Sequence, residues 1–461
     1  MDALRTVVLC TFFIILTTLY AVHLCARRHK LPLPPGPPKL PLVGNLFDVP
    51  STFQWKSYAR WSKQYDSDII HLDLAGTSVI VLSSFEATDA LFEKRSSLYS
   101  DRRTHRRLFN GAFNVKASRK YEPVELVRTH VLLARLLHAP EDFMHHLRQM
   151  AGEIIMTEAY GIDVLPSDDP YVTLAHKAGR AVSSGAVPGA YLVDTFPILK
   201  HIPRWFPGAG FKRQAEEWSK LSRGMLELPF AETKRQMQTA VTMYIGGADT
   251  IVFALGTFVL AMLACPEVQK KAQAEIDSLT GGRYLPSFED EASLPYISAL
   301  VKEVMRWENV TPFAIPRLLA NDDEYRGYRL PAGSVVVRNA WAILHDERVY
   351  PDPHTFKPER FLLDGKLNPA VRNPEPAFGF GRRLCPGRHM ALSSIWITVV
   401  SILATFDINK AVDERGNVIE PSYEYLSGLV SAPVPFKCSI TPRSQETIAL
   451  IQGAAGGEQR L

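Results

Sequence analysis

The segment Phe378–Arg388, FGFGRRLCPGR, sets a single cysteine in a glycine-rich turn directly before a long apolar stretch. Such a turn constrains the chain because it fixes a tight reversal and a helix start beside one reactive sulfur. Amide hydrogens of the turn and of the helix start can point at Cys385 and stabilise a thiolate, which suits it to hold an iron. Gly381 and Gly387 let backbone pass close to a flat macrocycle, and Arg383 can pair with an acidic group on its edge. A lone cysteine is more often a buried, inert one. The full spacing FxxGxRxCxG sets this one apart.

The other cysteines, Cys10, Cys25, Cys265 and Cys438, are scattered and show no CxxC spacing. Neither a zinc site nor a redox disulfide is expected from that spacing, and a reducing compartment fits best. With 46% hydrophobic and 22% charged residues, the 461-residue chain has ample material for a core that buries a large cofactor. Its net charge of +4 is small, and no basic run interleaves with aromatics, so nucleic acid is not expected as a partner.

Val7–Ala26, VVLCTFFIILTTLYAVHLCA, is long enough to cross a hydrocarbon core and is followed at once by Arg27, Arg28, His29 and Lys30. No small-residue cleavage site follows, so residues 1–30 are expected to form an uncleaved single-pass anchor with its basic flank. The bias of Lys and Arg toward the cytosol then leaves the body on that side, at the endoplasmic reticulum. Leu33–Leu46, LPPGPPKLPLVGNL, is too proline-rich for helix or central strand, and residues 31–50 read as a stiff hinge.

Beyond it, Ile69–Leu74 and Ser78–Leu82 flank Ala75-Gly76-Thr77 as a hairpin would. Three- and four-residue apolar spacing predicts helices over Phe143–Tyr160, Gln214–Leu228, Ala231–Ala264, Glu267–Leu279 and Tyr296–Trp307, with Pro266 as a stop for the long central one. A second hairpin is expected between Tyr328–Leu330 and Val335–Val337 around Pro331-Ala332-Gly333. Gly387–Phe406 returns to helix, Tyr423–Ile440 offers short strands, and residues 444–461 are expected to be disordered. The whole is mainly α with small β-sheets.

The Cys385 segment resembles the haem-binding signature of the cytochrome P450 family, and other stretches match that family in order. Glu303-Val304-Met305-Arg306 resembles its ExxR motif and Pro358-Glu359-Arg360-Phe361 its PERF motif, which implies a structural triad of Glu303, Arg306 and Arg360. Glu303 and Arg306 share a helix face, and a distant arginine can tie that helix to the loop leading to Cys385. Gly246-Gly247-Ala248-Asp249-Thr250 sits inside the long apolar helix, where two glycines cost about 1 kcal/mol each relative to alanine. Close helix packing is one reason for them. The resemblance implies another: a locally widened turn over the haem, with Asp249 and Thr250 relaying protons to dioxygen.

The resemblance also implies the P450 fold over residues 51–443. It names Cys385 as the axial ligand of haem iron, with Phe378, Gly381, Arg383, Gly387, Arg317 and Arg106 around the cofactor. Phe313 and Ile315 of TPFAIPR, and Leu429 of YLSGLVS, would contact substrate. Asp194–Arg213 resembles the substrate entrance of members from mushroom-forming fungi. Trp205 and Phe206 there either dip into a membrane interface or pack inside.

The chain departs from the family in two stretches, near 96–108 and 228–239, which are shorter than usual over the substrate pocket. Arg106 stands for the arginine of the family's WxxxR pair, whereas Arg102 stands where its tryptophan would. The activity implied is insertion of one oxygen atom of dioxygen into an apolar small molecule, in fungal secondary metabolism or xenobiotic oxidation. With no flavin or nicotinamide motif in the chain, electrons would come from an NADPH-cytochrome P450 reductase at the same lipid bilayer. The alternative is a haem-binding but catalytically impaired relative with a shortened lid. A haem-thiolate isomerase or dehydratase is disfavoured by Asp249 and Thr250.

Overall fold

A computed structural model describes residues 31–99, 118–160, 197–203, 205–232 and 237–458, with isolated positions between 169 and 193. The expected anchor, residues 1–30, lies outside the described residues. In chain order the longer elements are α1 (Gln54–Gln64), β1 (Ile69–Leu74), β2 (Thr77–Leu82), α2 (Glu122–His138), α3 (Phe143–Tyr160), α4 (Gly210–Glu232), α5 (Met237–Ala264), α6 (Pro266–Thr280) and α7 (Pro295–Trp307). They continue with β3 (Arg317–Leu318), β4 (Asp323–Tyr325), β5 (Tyr328–Leu330), β6 (Val335–Arg338), β7 (Leu362–Leu363), β8 (Lys366–Leu367), α8 (Arg388–Thr405), β9 (Phe406–Lys410), β10 (Cys438–Pro442) and α9 (Gln445–Glu458).

Local chemistry sets many of these bounds. Pro266 and Pro295 occupy the first turns of α6 and α7, where a missing N–H costs nothing. Gly281 ends α6 in the left-handed region at φ 57, its N–H donating to Asp277 O. Three two-residue reversals, Ala75-Gly76, Arg326-Gly327 and Asp364-Gly365, have both residues at positive φ. That twist suits a tight hairpin, and each joins an antiparallel pair: β1–β2, β4–β5 and β7–β8.

The expected hairpin between Tyr328–Leu330 and Val335–Val337 does not form. Instead β5 pairs with β4, and β6 joins the larger sheet of order β1-β2-β6-β3, parallel to β2 and antiparallel to β3. Arg326-Gly327 supplies the hairpin geometry, whereas Pro331-Ala332-Gly333 carries the chain from one sheet to the other. The proline-rich hinge is not a free spacer either. His71 N–H donates to Pro35 O at 2.9 Å, the Asn45 amide donates to Pro37 O and Pro38 O, and a Cβ on Gly36 would collide with the His71 carbonyl. Prolines leave their carbonyls free to accept, so this run docks along β1.

The main core joins α2, α3, α5, α6, α7 and α8 around Phe258, Met262, Leu300 and Leu403. Helix α8 begins three residues after Cys385 and is buried from Ser394 to Leu403, so it anchors the cysteine turn rigidly. It is long and apolar enough to cross a membrane, yet 67% of that stretch is buried inside the protein, which marks a core helix. The tail expected to be disordered is helical over α9. Ser444 caps it through a side-chain bond from Thr447 N–H at 3.2 Å, and Ile451 is fully buried, with α9 lying against α2. One apolar side chain and one cap outweigh the glycine-rich composition.

Candidate active site

Glu303 and Arg306 lie one turn apart on α7 and are completely buried. Arg306 Nε and Nη2 each donate at 2.8 Å to the two oxygens of Glu303, a bidentate pair. Glu303 Oε1 also accepts from Lys357 N–H at 2.8 Å and from Arg360 Nε at 3.1 Å. Arg360 donates onward to the carbonyls of Pro351, Asp352 and Thr355, and Arg306 to that of Leu344. The expected triad therefore assembles as one bonded network that clamps residues 344–360 to α7. Its role is to hold the backbone that precedes the cysteine turn.

In that turn Gly379 and Gly381 take φ of 111 and 57, and Cys385 N–H donates to Phe378 O at 2.8 Å. Gly381 N–H donates to Glu93, and a Cβ on Gly381 would collide with the Phe92 carbonyl. Phe92 and Glu93 belong to a π-helical turn, Asp89–Lys94, so an unusual widened turn sits against the cysteine loop. Gly387 N–H donates to the Cys385 sulfur and Arg388 adds a nearby positive charge; both oppose the burial that pushes the thiol above its ordinary value. A metal on that sulfur would remove the remaining penalty on the thiolate.

The walls beside the turn carry two buried guanidinium groups, not all of whose nitrogens are bonded among the described residues. Arg317 on β3 donates from Nη2 to Phe380 O at 2.7 Å and lies 4.0 Å over the Phe92 ring, but its buried Nη1 has no partner. Burial, then Arg383, lower its pKa to about 10, against Glu93. Arg338, at the end of β6, is buried with both Nε and Nη1 unpartnered. Arg383 itself is exposed on the short turn Gly381–Arg383. Arg106 lies outside the described residues.

Helix α5 separates the two explanations for its glycines. A Cβ on Gly247 would stand 2.8 Å from Ile155 of α3, so this glycine serves close helix packing; Gly246 has nothing within 4 Å and faces open space. The widened turn is not present, because α5 is α-helical throughout. Thr250 Oγ1 instead donates to Gly246 O at 2.7 Å. Asp249 Oδ1 is buried without a partner, and burial raises its carboxyl to about 6 against the pull of Arg148 and Arg180. A group of that value exchanges its proton near neutral pH.

A profile described as Cytochrome P450 matches residues 231–440. "Cytochrome P450 monooxygenase 98" of Postia placenta is 46% identical over 93% of this chain and 94% of its own length. The chain belongs to the cytochrome P450 family. "Cytochrome P450 monooxygenase ple1" of Rhodocybe pseudopiperita is 40% identical over 92% of each chain, and "Tryptamine 4-monooxygenase" of Psilocybe cyanescens 36% identical over 94% of this chain and 97% of its own. This P450 is thus a monooxygenase whose cofactor is haem and which works with a redox partner on a small molecule. The free sulfur with its amide donor, the open space beside Gly387 and the Arg317 Nη1 left unbonded among the described residues fit that cofactor.

The expected substrate contacts divide. Phe313 packs edge-on to Trp55 at 5.6 Å and against Tyr58 at 5.3 Å in a separate sheet-side core. Ile315 is 79% exposed and Leu429 half-buried. Trp205 and Phe206 are both exposed, so they do not pack inside. Much of the stretch near 96–108, and positions 233–236 of the stretch near 228–239, lie outside the described residues. Two buried groups and one half-buried group escaped the sequence reading: Arg338, which looks like the polar end of a strand; Glu125; and the half-buried Arg148 in an amphipathic helix.

Proposed function

We propose that this P450 inserts one oxygen atom of dioxygen into an apolar small molecule, in fungal secondary metabolism or xenobiotic oxidation. Electrons come from an NADPH-cytochrome P450 reductase, and residues 1–30 hold the enzyme in the endoplasmic reticulum membrane with its body in the cytosol. Exposed Trp205 and Phe206 support delivery of substrate from the bilayer, since aromatic side chains favour its interface. Bound through Cys385, haem supplies the iron at which dioxygen is reduced.

The observation that carries this reading is the acid–alcohol pair beside the open face at Gly246. Asp249, with a carboxyl near 6, holds a proton at Oδ1 or Oδ2 and is recharged beside Arg148 and Arg180. Thr250 Oγ1, seated on the Gly246 carbonyl, presents its lone pairs to a hydrogen-bond donor on the open side. An isomerase or dehydratase has no use for such a relay. The test is turnover of full-length enzyme and reductase with a panel of terpenes and aromatics under isotopically heavy dioxygen. One labelled oxygen per product is expected, with Thr250→Ala and Asp249→Asn diverting NADPH to peroxide by roughly ten- to a hundredfold in product yield. Wild-type enzyme that yields only peroxide across the panel would favour a haem protein without coupled chemistry.

A further inference from the structure

We infer that Arg338 anchors the haem, forming with Arg317 a buried two-guanidinium cradle for a propionate. Register places them together. Arg317 is paired with Val336 across β3 and β6, and Arg338 lies two residues beyond Val336, on the same face of the sheet. Both reach the same residue of the cysteine turn: Arg317 donates to the Phe380 carbonyl, and the Arg338 guanidinium lies 5.3 Å from the centre of the Phe380 ring. Arg338 Nη1 stands 3.8 Å from where a Cβ on Gly379 would be, so it borders the backbone that leads to Cys385.

Charge makes the case. Arg338 is 3% exposed, and among the described residues two of its nitrogens and one of the neighbouring Arg317 have no partner. The charged group that bears on Arg338 is Arg317, a like charge, and Glu93, which bears on Arg317, spends one of its oxygens on Gly381 N–H. Buried cations are kept where an anion meets them. A planar guanidinium pair matches a carboxylate bidentately, and haem brings carboxylates to the turn that Phe380 and Gly379 build.

The test compares wild type, Arg338→Gln and Arg338→Lys as full-length protein, each reconstituted with haem and with haem dimethyl ester, whose propionates carry no charge. Haem loss is followed by transfer to excess apomyoglobin. Arg338→Gln should release haem roughly ten- to a hundredfold faster than wild type, the cost of charge-assisted hydrogen bonds, with Arg338→Lys in between. With the diester the difference should close to about twofold. An equal acceleration with both porphyrins would show a packing role and overturn the inference. Thermal melting of the haem-free proteins gives an independent reading: Arg338→Gln should melt at or above wild type, because an uncompensated charge is removed, and a melt lowered as much as in the haem-bound form would overturn it. The reduced carbon monoxide band reports separately on the Cys385 ligand.

Discussion

The Glu303–Arg306–Arg360 network and the Arg317–Arg338 pair both take charge out of water, and they differ in what answers it. Around Glu303 the counter-charges arrive from α7 itself and from the nearby loop, so the acid and both guanidinium groups are bonded within the protein. Around Arg338 nitrogens are left over, and among the described residues no carboxylate is bonded to them. A closed network of this kind fixes a backbone, whereas an open one is a binding site for what the chain does not itself supply. Glu125 on α2 shows a third solution. It is fully buried, bonded by Ser393 at 3.0 Å and Ser394 at 2.8 Å, and burial raises its carboxyl to about 8, so it gives up the charge instead.

The largest expected effect tests the closed network. Glu303→Gln or Arg306→Ala should cost about 3–5 kcal/mol, since breaking a buried pair strands its partner, and little holoprotein should accumulate. Near-normal haem content and melting temperature would break the distinction between the clusters. Arg317→Met should act the other way: haem-free protein of undiminished stability that loses haem about tenfold faster, read by transfer to apomyoglobin. Glu125→Gln is expected to be the mildest. Because the folded protein holds the Glu125 proton up to about pH 8 while the unfolded chain releases it near 4.5, this group's contribution falls as pH rises between those values. The amide should flatten that part of the stability–pH curve, and an unchanged slope in urea titrations across that range would show that Glu125 is ionised in the fold.

The cysteine turn and the triad were legible because their bonds are local or marked by fixed spacing: FxxGxRxCxG sets the turn, and Glu303 and Arg306 meet at i,i+3. Helices α3, α5, α6, α7 and α8 were legible for the same reason, through apolar periodicity. What escaped depends on distant partners. The choice of β4 over β6 as the mate of β5 turned on Arg326-Gly327, whose positive φ at a non-glycine residue carries little compositional signal. Helix α9 was hidden by its glycines, although Ile451 finds a seat on the core. Phe313 meets Trp55 and Tyr58 from far earlier in the chain, contacts that no local spacing announces.

By itself the sequence determined the glycine-rich turn at Cys385, the acid–arginine pair of α7 and the Asp249-Thr250 pair on a long apolar helix, because spacing along a helix or turn fixes which side chains meet. Tertiary structure decided which buried charges are answered and which are left open. Arg360 and Arg338 are the same residue type, each near the end of a short element, and nothing local tells them apart. The difference lies in whether a carboxylate from elsewhere in the fold reaches them: Glu303 of α7 meets Arg360 at 3.1 Å, and among the described residues none is bonded to Arg338 Nε or Nη1.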